Sequence, residues 1–140
     1  MQALDYDGLM QANLTGVFSE RDPERRLIAI GELYAANATL NEPETSVIGH
    51  ASISDAVTAV LASLPADFVF SAMGPALGHH GIGRLRWQAG PPDGPSAVTG
   101  MGYRSFPGWS DTFAVCFYRT RHLREFAHGH CEKPCVLERN

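Results

Sequence analysis

The residues of this chain that could move a proton fall in two places. Glu42 stands before Pro43, with Asn41 and Asn37 close by. A carboxylate becomes a useful general base when burial raises its pKa. The plainer alternative is a solvated acid in a turn. His79 and His80 form the second place, and a histidine there can shuttle protons near neutral pH. Neighbours on a strand face opposite sides, so the two cannot both enter one site without a bulge. His79 shares parity with Leu85 and Trp87, so His79 is the candidate, and a structural histidine is the alternative. Tyr34 and Trp87 sit on faces expected to point inward. Each joins an apolar ring to a polar tip that can orient a ligand, though such rings also serve simply as core.

Other charged or metal-ligating groups promise less. Arg84 and Arg86 lie on the strand face opposite Leu85 and Trp87. A planar guanidinium suits a protein interface, and plain exposure is the alternative. Arg21, Arg25 and Arg26 are expected to form a solvated basic edge. His50 is expected to be a helix-terminus residue. His128, His130, Cys131 and Cys135 are zinc-ligand types, but their spacing departs from a usual finger. The expectation is a polar tail over residues 121–140, with no metal and no cofactor. No Gly-rich phosphate loop follows a strand, and no Ser or Cys nucleophile stands in a recognisable elbow.

The elements that must position these groups follow from periodicity. Leu4, Leu9, Met10, Leu14, Val17 and Phe18 recur at helical spacing, weakened by Gly8 and Gly16. Asp22-Pro23 restarts a helix, with Asp22 as cap and Pro23 at the first position. Leu27, Ile30, Leu33 and Tyr34 continue it to about Asn37. Ala38 to Leu40 and Val47-Ile48 read as short strands around a turn at 41–44. Ile53, Ala56, Val57, Val60, Leu61 and Leu64 mark a third, amphipathic helix that Pro65 ends. Beyond it the period becomes two. Strands are expected from Phe68, over His80 to Gln88, over Ala97 to Phe106 and over Thr112 to Tyr118. Helices first and strands after is an α+β order.

The bulk numbers narrow the function classes. The chain has 140 residues, enough for one domain with a real core. Hydrophobic residues make up 44% and charged residues 19%, ordinary for a globular protein. A net charge of −4 offers no broad basic field for nucleic acid. No apolar run reaches the ~18 residues that span a bilayer. Met1 to Asp7 shows no basic region before an apolar core, so a cytoplasmic protein is expected. Three cysteines, an odd number, argue against a disulfide framework.

Phe18-Ser-Glu-Arg-Asp-Pro-Glu-Arg-Arg, Leu33-Tyr-Ala-Ala-Asn-Ala-Thr-Leu-Asn-Glu-Pro43 and Val47-Ile-Gly-His-Ala-Ser-Ile53 follow one another in a telling order. Together they resemble the opening of the nuclear transport factor 2-like superfamily, which includes SnoaL-like polyketide cyclases and ketosteroid isomerases. His79-His-Gly-Ile-Gly-Arg-Leu-Arg-Trp87 with Gly90-Pro-Pro92 resembles an uncharacterised SnoaL-like subgroup. The likeness runs from about Val17 to Gly100. It implies three N-terminal helices packed on a curved antiparallel sheet, a cone with one apolar pocket. It also implies a homodimer through the sheet face, with a pocket domain over residues 1–120. Phe18, Tyr34, Asn37 and Trp87 would line the pocket.

In ketosteroid isomerases a catalytic carboxylate stands where Glu42 stands. Their oxyanion-stabilising tyrosine falls on Phe18, which has no hydroxyl to donate. That departure argues against steroid isomerisation by their mechanism. The resemblance therefore implies a small apolar ligand, bound or converted by metal-free isomerase, cyclase or hydratase chemistry. The alternative is a non-catalytic ligand-binding or dimerisation module. Beyond Gly100 the likeness fades. Codons for Gly108 to Thr112 can be chosen so that a one-base shift restores the relatives' Asp-Gly-Arg-Ile turn.

Overall fold

The computed structural model describes residues 4–106 and the backbone of 112–119. The tail motif of His128, His130, Cys131 and Cys135 lies outside the described residues. Helix α1 (Tyr6–Asn13) runs into a π-helical turn (Leu14–Phe18), and α2 (Pro23–Leu33) follows. Strands β1 (Thr39–Asn41) and β2 (Ser46–Ile48) precede α3 (His50–Ala62). Then come β3 (Val69–Ala72), β4 (Leu77–His79), β5 (Ile82–Gly90), β6 (Val98–Ser105) and β7 (Thr112–Arg119).

The caps sit where side-chain chemistry puts them. Asp22 accepts the Glu24 N–H at 3.0 Å, with Pro23 opening α2. Asp5 accepts the Gly8 N–H at 2.8 Å at the start of α1. Asp7 accepts the Ala76 N–H at 2.8 Å, and that bond holds its carboxyl below the usual range. Tyr6 pins α1 to the β4–β5 hairpin, its hydroxyl accepting the Gly81 N–H at 2.8 Å. A Cβ on Gly78 would meet the Tyr6 ring at 2.2 Å, so this docking requires glycine there.

The sheet runs β2-β1-β7-β6-β5-β3, with β4 also paired to β5. Its inner face carries Leu85, Trp87, Ala89, Leu40 and Phe106, buried with Met10, Val17, Phe18, Ile30, Ile53 and Val57 from the helical layer. Three helices on a sheet is the expected α+β architecture. The expected cone is not formed. The sheet is an open path with β2 and β3 at its ends, and it is neither closed nor strongly curled. It is also not purely antiparallel, because β1 runs parallel to β7. The physical reason lies in the registers. β5 pairs with β6 from Ile82↔Ser105 to Ala89↔Val98 without a break, and β6 pairs with β7 equally evenly. Bulges and kinks are what curl a sheet, and these pairings contain none.

One arginine holds the helical layer together. Arg26 was expected on a solvated edge, yet it is 1% exposed. Its Nε donates to Glu20 O at 2.9 Å, and its Nη1 to Ser54 O at 2.8 Å and Thr58 Oγ1 at 2.5 Å. Nη2 reaches Arg21 O at 3.4 Å. Every guanidinium nitrogen thus has an oxygen partner, and α2 is tied to α3. Arg21 and Arg25 are exposed as expected, Arg21 donating to Pro65 O and Phe68 O at 3.3 Å and Arg25 paired with Asp22 at 3.2 Å and Glu20 at 3.6 Å. Hydrogen bonds to a buried charge are stronger than neutral ones, so Arg26→Met should cost about 3 kcal/mol. Urea unfolding measures this, and a loss below about 1 kcal/mol would show that the staple carries little.

Candidate functional site

Glu42 follows directly on β1. Strand parity gives it the side of Leu40, which is 1% exposed. Its Oε2 accepts the Thr45 hydroxyl at 3.2 Å, and its backbone N–H donates to Thr45 O at 2.8 Å. Its Oε1 is buried without a hydrogen-bond partner among the described residues. Burial raises the Glu42 carboxyl above the ordinary glutamate range, and the Thr45 hydrogen bond only partly opposes that rise. This is the electrostatic condition for a group that takes and returns a proton.

The register of the sheet places a second unsatisfied group on the same face. Leu40 pairs with Phe113 and Phe113 with Arg104, so the three stand in one row across β1, β7 and β6. Strands two apart lie about 10 Å from each other. Arg104 is 5% exposed, between the buried inner positions Gly102 and Phe106. Its guanidinium carbon lies 4.7 Å from the centre of the Tyr34 ring and 5.0 Å from that of Phe106, both cation–π contacts. Nη2 donates to Leu33 O. Nε and Nη1 are buried and have no hydrogen-bond partner among the described residues.

Local structure explains how these contacts arise. Helix α2 was expected to run to about Asn37 but stops at Leu33, where Tyr34 turns extended. That break leaves the Leu33 carbonyl for Arg104 and swings the Tyr34 ring inward. The Tyr34 hydroxyl donates to Asn13 Oδ1, and Asn13 is 2% exposed at the end of α1. The π-helical turn follows, closed by Ser19 N–H to Leu14 O at 2.9 Å. Such turns recur at functional sites. His50 Nε2 lies 2.9 Å from Ala35 O and 3.1 Å from Tyr34 O, clamping this corner as a helix-terminus residue.

Phe18 and Trp87 are buried in the core, each 4% exposed, and Trp87 lies 5.2 Å from Phe70, ring to ring. Asn37 is exposed on the turn after α2. His79 is exposed too, and not on the face of Leu85 and Trp87. The reason is a hairpin. His80 (φ 53°) and Gly81 (φ 80°) form its two-residue turn, and His79 pairs with Ile82. Crossing that turn reverses the parity, which puts His79 with Ile82 and Arg84 on the outer face. There Leu77, His79, Ile82, Arg84 and Tyr103 line an open depression of about 310 Å³. The structure brings Tyr34 into contact with Asn13 and Arg104, and the sequence reading had singled out neither of these two. Among the described residues, no group of three or more His, Cys, Asp or Glu could hold a metal. No described helix is long and apolar enough to cross a membrane.

No protein-family model matches the chain, and no curated protein matches it. Solved structures do. A putative isomerase of the SnoaL-like family from Agrobacterium tumefaciens superposes with a TM-score of 0.72 at 24% identity, over 82% of this chain and 99% of that one. A putative polyketide cyclase from Sinorhizobium meliloti gives 0.59 at 13% identity, over 82% and 99%. An NTF2-like protein of unknown function from Cytophaga hutchinsonii gives 0.57 at 11%, over 84% and 93%. At these identities the likeness is one of fold. What they share with this chain is the arrangement of helices on a sheet, and no family follows from it.

Glu42 has a measurable consequence. Its pKa is raised in the folded protein, so folding holds its proton more tightly than the unfolded chain does. The resulting stability is present below the unfolded pKa and is lost as pH rises through the folded one. Glu42→Gln keeps the shape and cannot ionise. Its stability relative to the native chain should therefore rise as pH climbs above the ordinary glutamate range, read from urea midpoints at each pH. A difference that stays flat with pH would make Glu42 an ordinary surface acid.

Proposed function

We propose that this protein binds a small, mainly apolar molecule against the inner face of its sheet and transfers a proton on it through Glu42. The observation that carries this reading is the half-buried Glu42 carboxyl, raised by burial and with Oε1 unpartnered. A base of that kind works without a metal, by isomerisation, cyclisation or hydration. Arg104, Tyr34 and Asn13 hold the polar part of the same inner layer. The structural likeness to proteins described as a putative isomerase and a putative polyketide cyclase supports the same chemistry. Trp87 and Phe18 supply apolar packing around the bound molecule, and His79, on the outer face, takes no part.

A second reading is a binding module without catalysis. Phe18 and the engaged Tyr34 hydroxyl favour it, because Tyr34 already donates to Asn13. Proton transfer separates the two readings. Solvent-deuterium exchange at the carbon next to the carbonyl of β-tetralone, followed by NMR, should be accelerated by the native protein. Glu42→Gln should slow it by about 100-fold or more, the usual share of a general base. Equal rates in the two proteins would rule Glu42 out as the base. A native protein that binds β-tetralone without accelerating exchange would favour the binding module.

A further inference from the structure

Arg104 is the charged group that a neutral apolar ligand would leave unused. Its cost to the fold is evident beside Arg26. Both side chains are almost fully buried. Arg26 spends its nitrogens on Glu20 O, Arg21 O, Ser54 and Thr58. Among the described residues Arg104 has Leu33 O as its oxygen partner, and Nε–H and both hydrogens of Nη1 stay unfilled. Among the described residues no carboxylate pairs with it, the ion pairs being those of Arg25. A buried charge without a partner is among the most expensive groups a protein can keep.

The surroundings suit an incoming anion. Tyr34 and Phe106 lie against the guanidinium, and Leu33 O holds Nη2, so the group is fixed before anything binds. The two inner positions before Arg104 on β6 are Gly102 and Gly100, which put no side chain on that face. Gly102 pairs with Val115 on β7, one step along the strands toward the position of Glu42. Leu40, Leu85, Trp87 and Ala89 are apolar neighbours on the same face of the sheet, with Asn13 and Glu42 among the polar members of this layer. A single guanidinium matches a single negative charge. A dianion such as a phosphate would meet Glu42 on the same face with only one cation to balance it.

We propose that Arg104 binds the carboxylate of the ligand, so that the molecule taken at the inner face is an apolar monocarboxylic acid. This rests on the inner face being the binding surface. It does not require Glu42 to be a base. The Nε and Nη1 hydrogens then receive the oxygens they lack, and the apolar body of the acid lies along β6 over the glycines.

Calorimetric titration of the full chain tests this. The probes are 2-naphthoate, cinnamate and octanoate, each against its own primary amide. A hydrogen-bonded charge pair predicts that at least one acid binds about tenfold or more tightly than its amide. Arg104→Gln should abolish the preference, and Arg104→Lys should keep part of it. Circular dichroism of each variant establishes that it is folded. If Arg104→Gln does not fold, Arg104→Lys decides, since a point charge without the planar fork should weaken the acid and spare the amide. Amides that bind as tightly as the acids, a preference that survives Arg104→Gln, or no binding by any acid would overturn the proposal. Glu42→Gln should bind the acid at least as tightly as the native chain. An acid that binds while β-tetralone exchange is absent would uphold Arg104 and remove Glu42 as the base.

Discussion

The inner face of the sheet carries a guanidinium that the fold takes out of water with no counter-charge among the described residues. Much of the local structure depends on how Arg104 is held. Helix α2 ends at Leu33, and the freed carbonyl accepts from Arg104. Tyr34 leaves the helix in an extended conformation and lays its ring against the same group. The Tyr34 hydroxyl then needs a partner inside, and Asn13 supplies it from the end of α1. Phe106 closes over Arg104 and meets Tyr6 edge-on at 5.1 Å, linking the cluster to the helix that docks on the β4–β5 hairpin. Such an arrangement fixes a cation in place and leaves most of its donors unspent. Preorganised donors of that kind are what a binding site requires, at a cost in stability that a purely structural arginine avoids.

The shape of the sheet decides how that cation can be used. Even registers through β5, β6 and β7 keep the sheet open, so the proposed binding surface is one face of a layer. On that face Glu42, directly after β1, and Arg104, on β6 two strands away, are an acid with a raised pKa and a guanidinium with unfilled donors. Neither group pairs with the other, and among the described residues each keeps an unsatisfied buried atom. The outer face differs in character, with Leu77 and Ile82 exposed beside His79, Arg84 and Tyr103. It is the face where the sequence resemblance places a second copy.

Much of the fold was legible because it rests on local rules. Asp22-Pro23 is a cap and a first helical residue wherever it occurs, and the strands near Phe68, Val98 and Thr112 follow from period two. Glu42 was legible as a candidate because a carboxylate before a proline at a strand end stands out, although its burial was not. What failed were properties set by pairing. The parity of His79 depended on a two-residue turn at His80-Gly81, where a continuous strand from His80 had been expected. Arg104 escaped notice because β6 alternates against its own chemistry. Met101 and Tyr103 look like the inward residues, while the inner positions hold Gly100, Gly102 and Arg104. Only the register with β5, after the irregular turn near Gly90 to Pro95, assigns the faces. Arg26 was misplaced for a similar reason, since its partners Ser54 and Thr58 lie a whole helix away in sequence.

The central claim is that Arg104 is kept for a ligand and costs the ligand-free protein stability. The most direct test is equilibrium urea unfolding of Arg104→Met without ligand, because methionine fills similar volume and carries no charge. The account predicts a variant as stable as the native chain or more stable, with any loss below about 1 kcal/mol. A loss of about 3–5 kcal/mol, the range seen when one partner of a satisfied buried charge pair is removed, would contradict it and make Arg104 a structural residue.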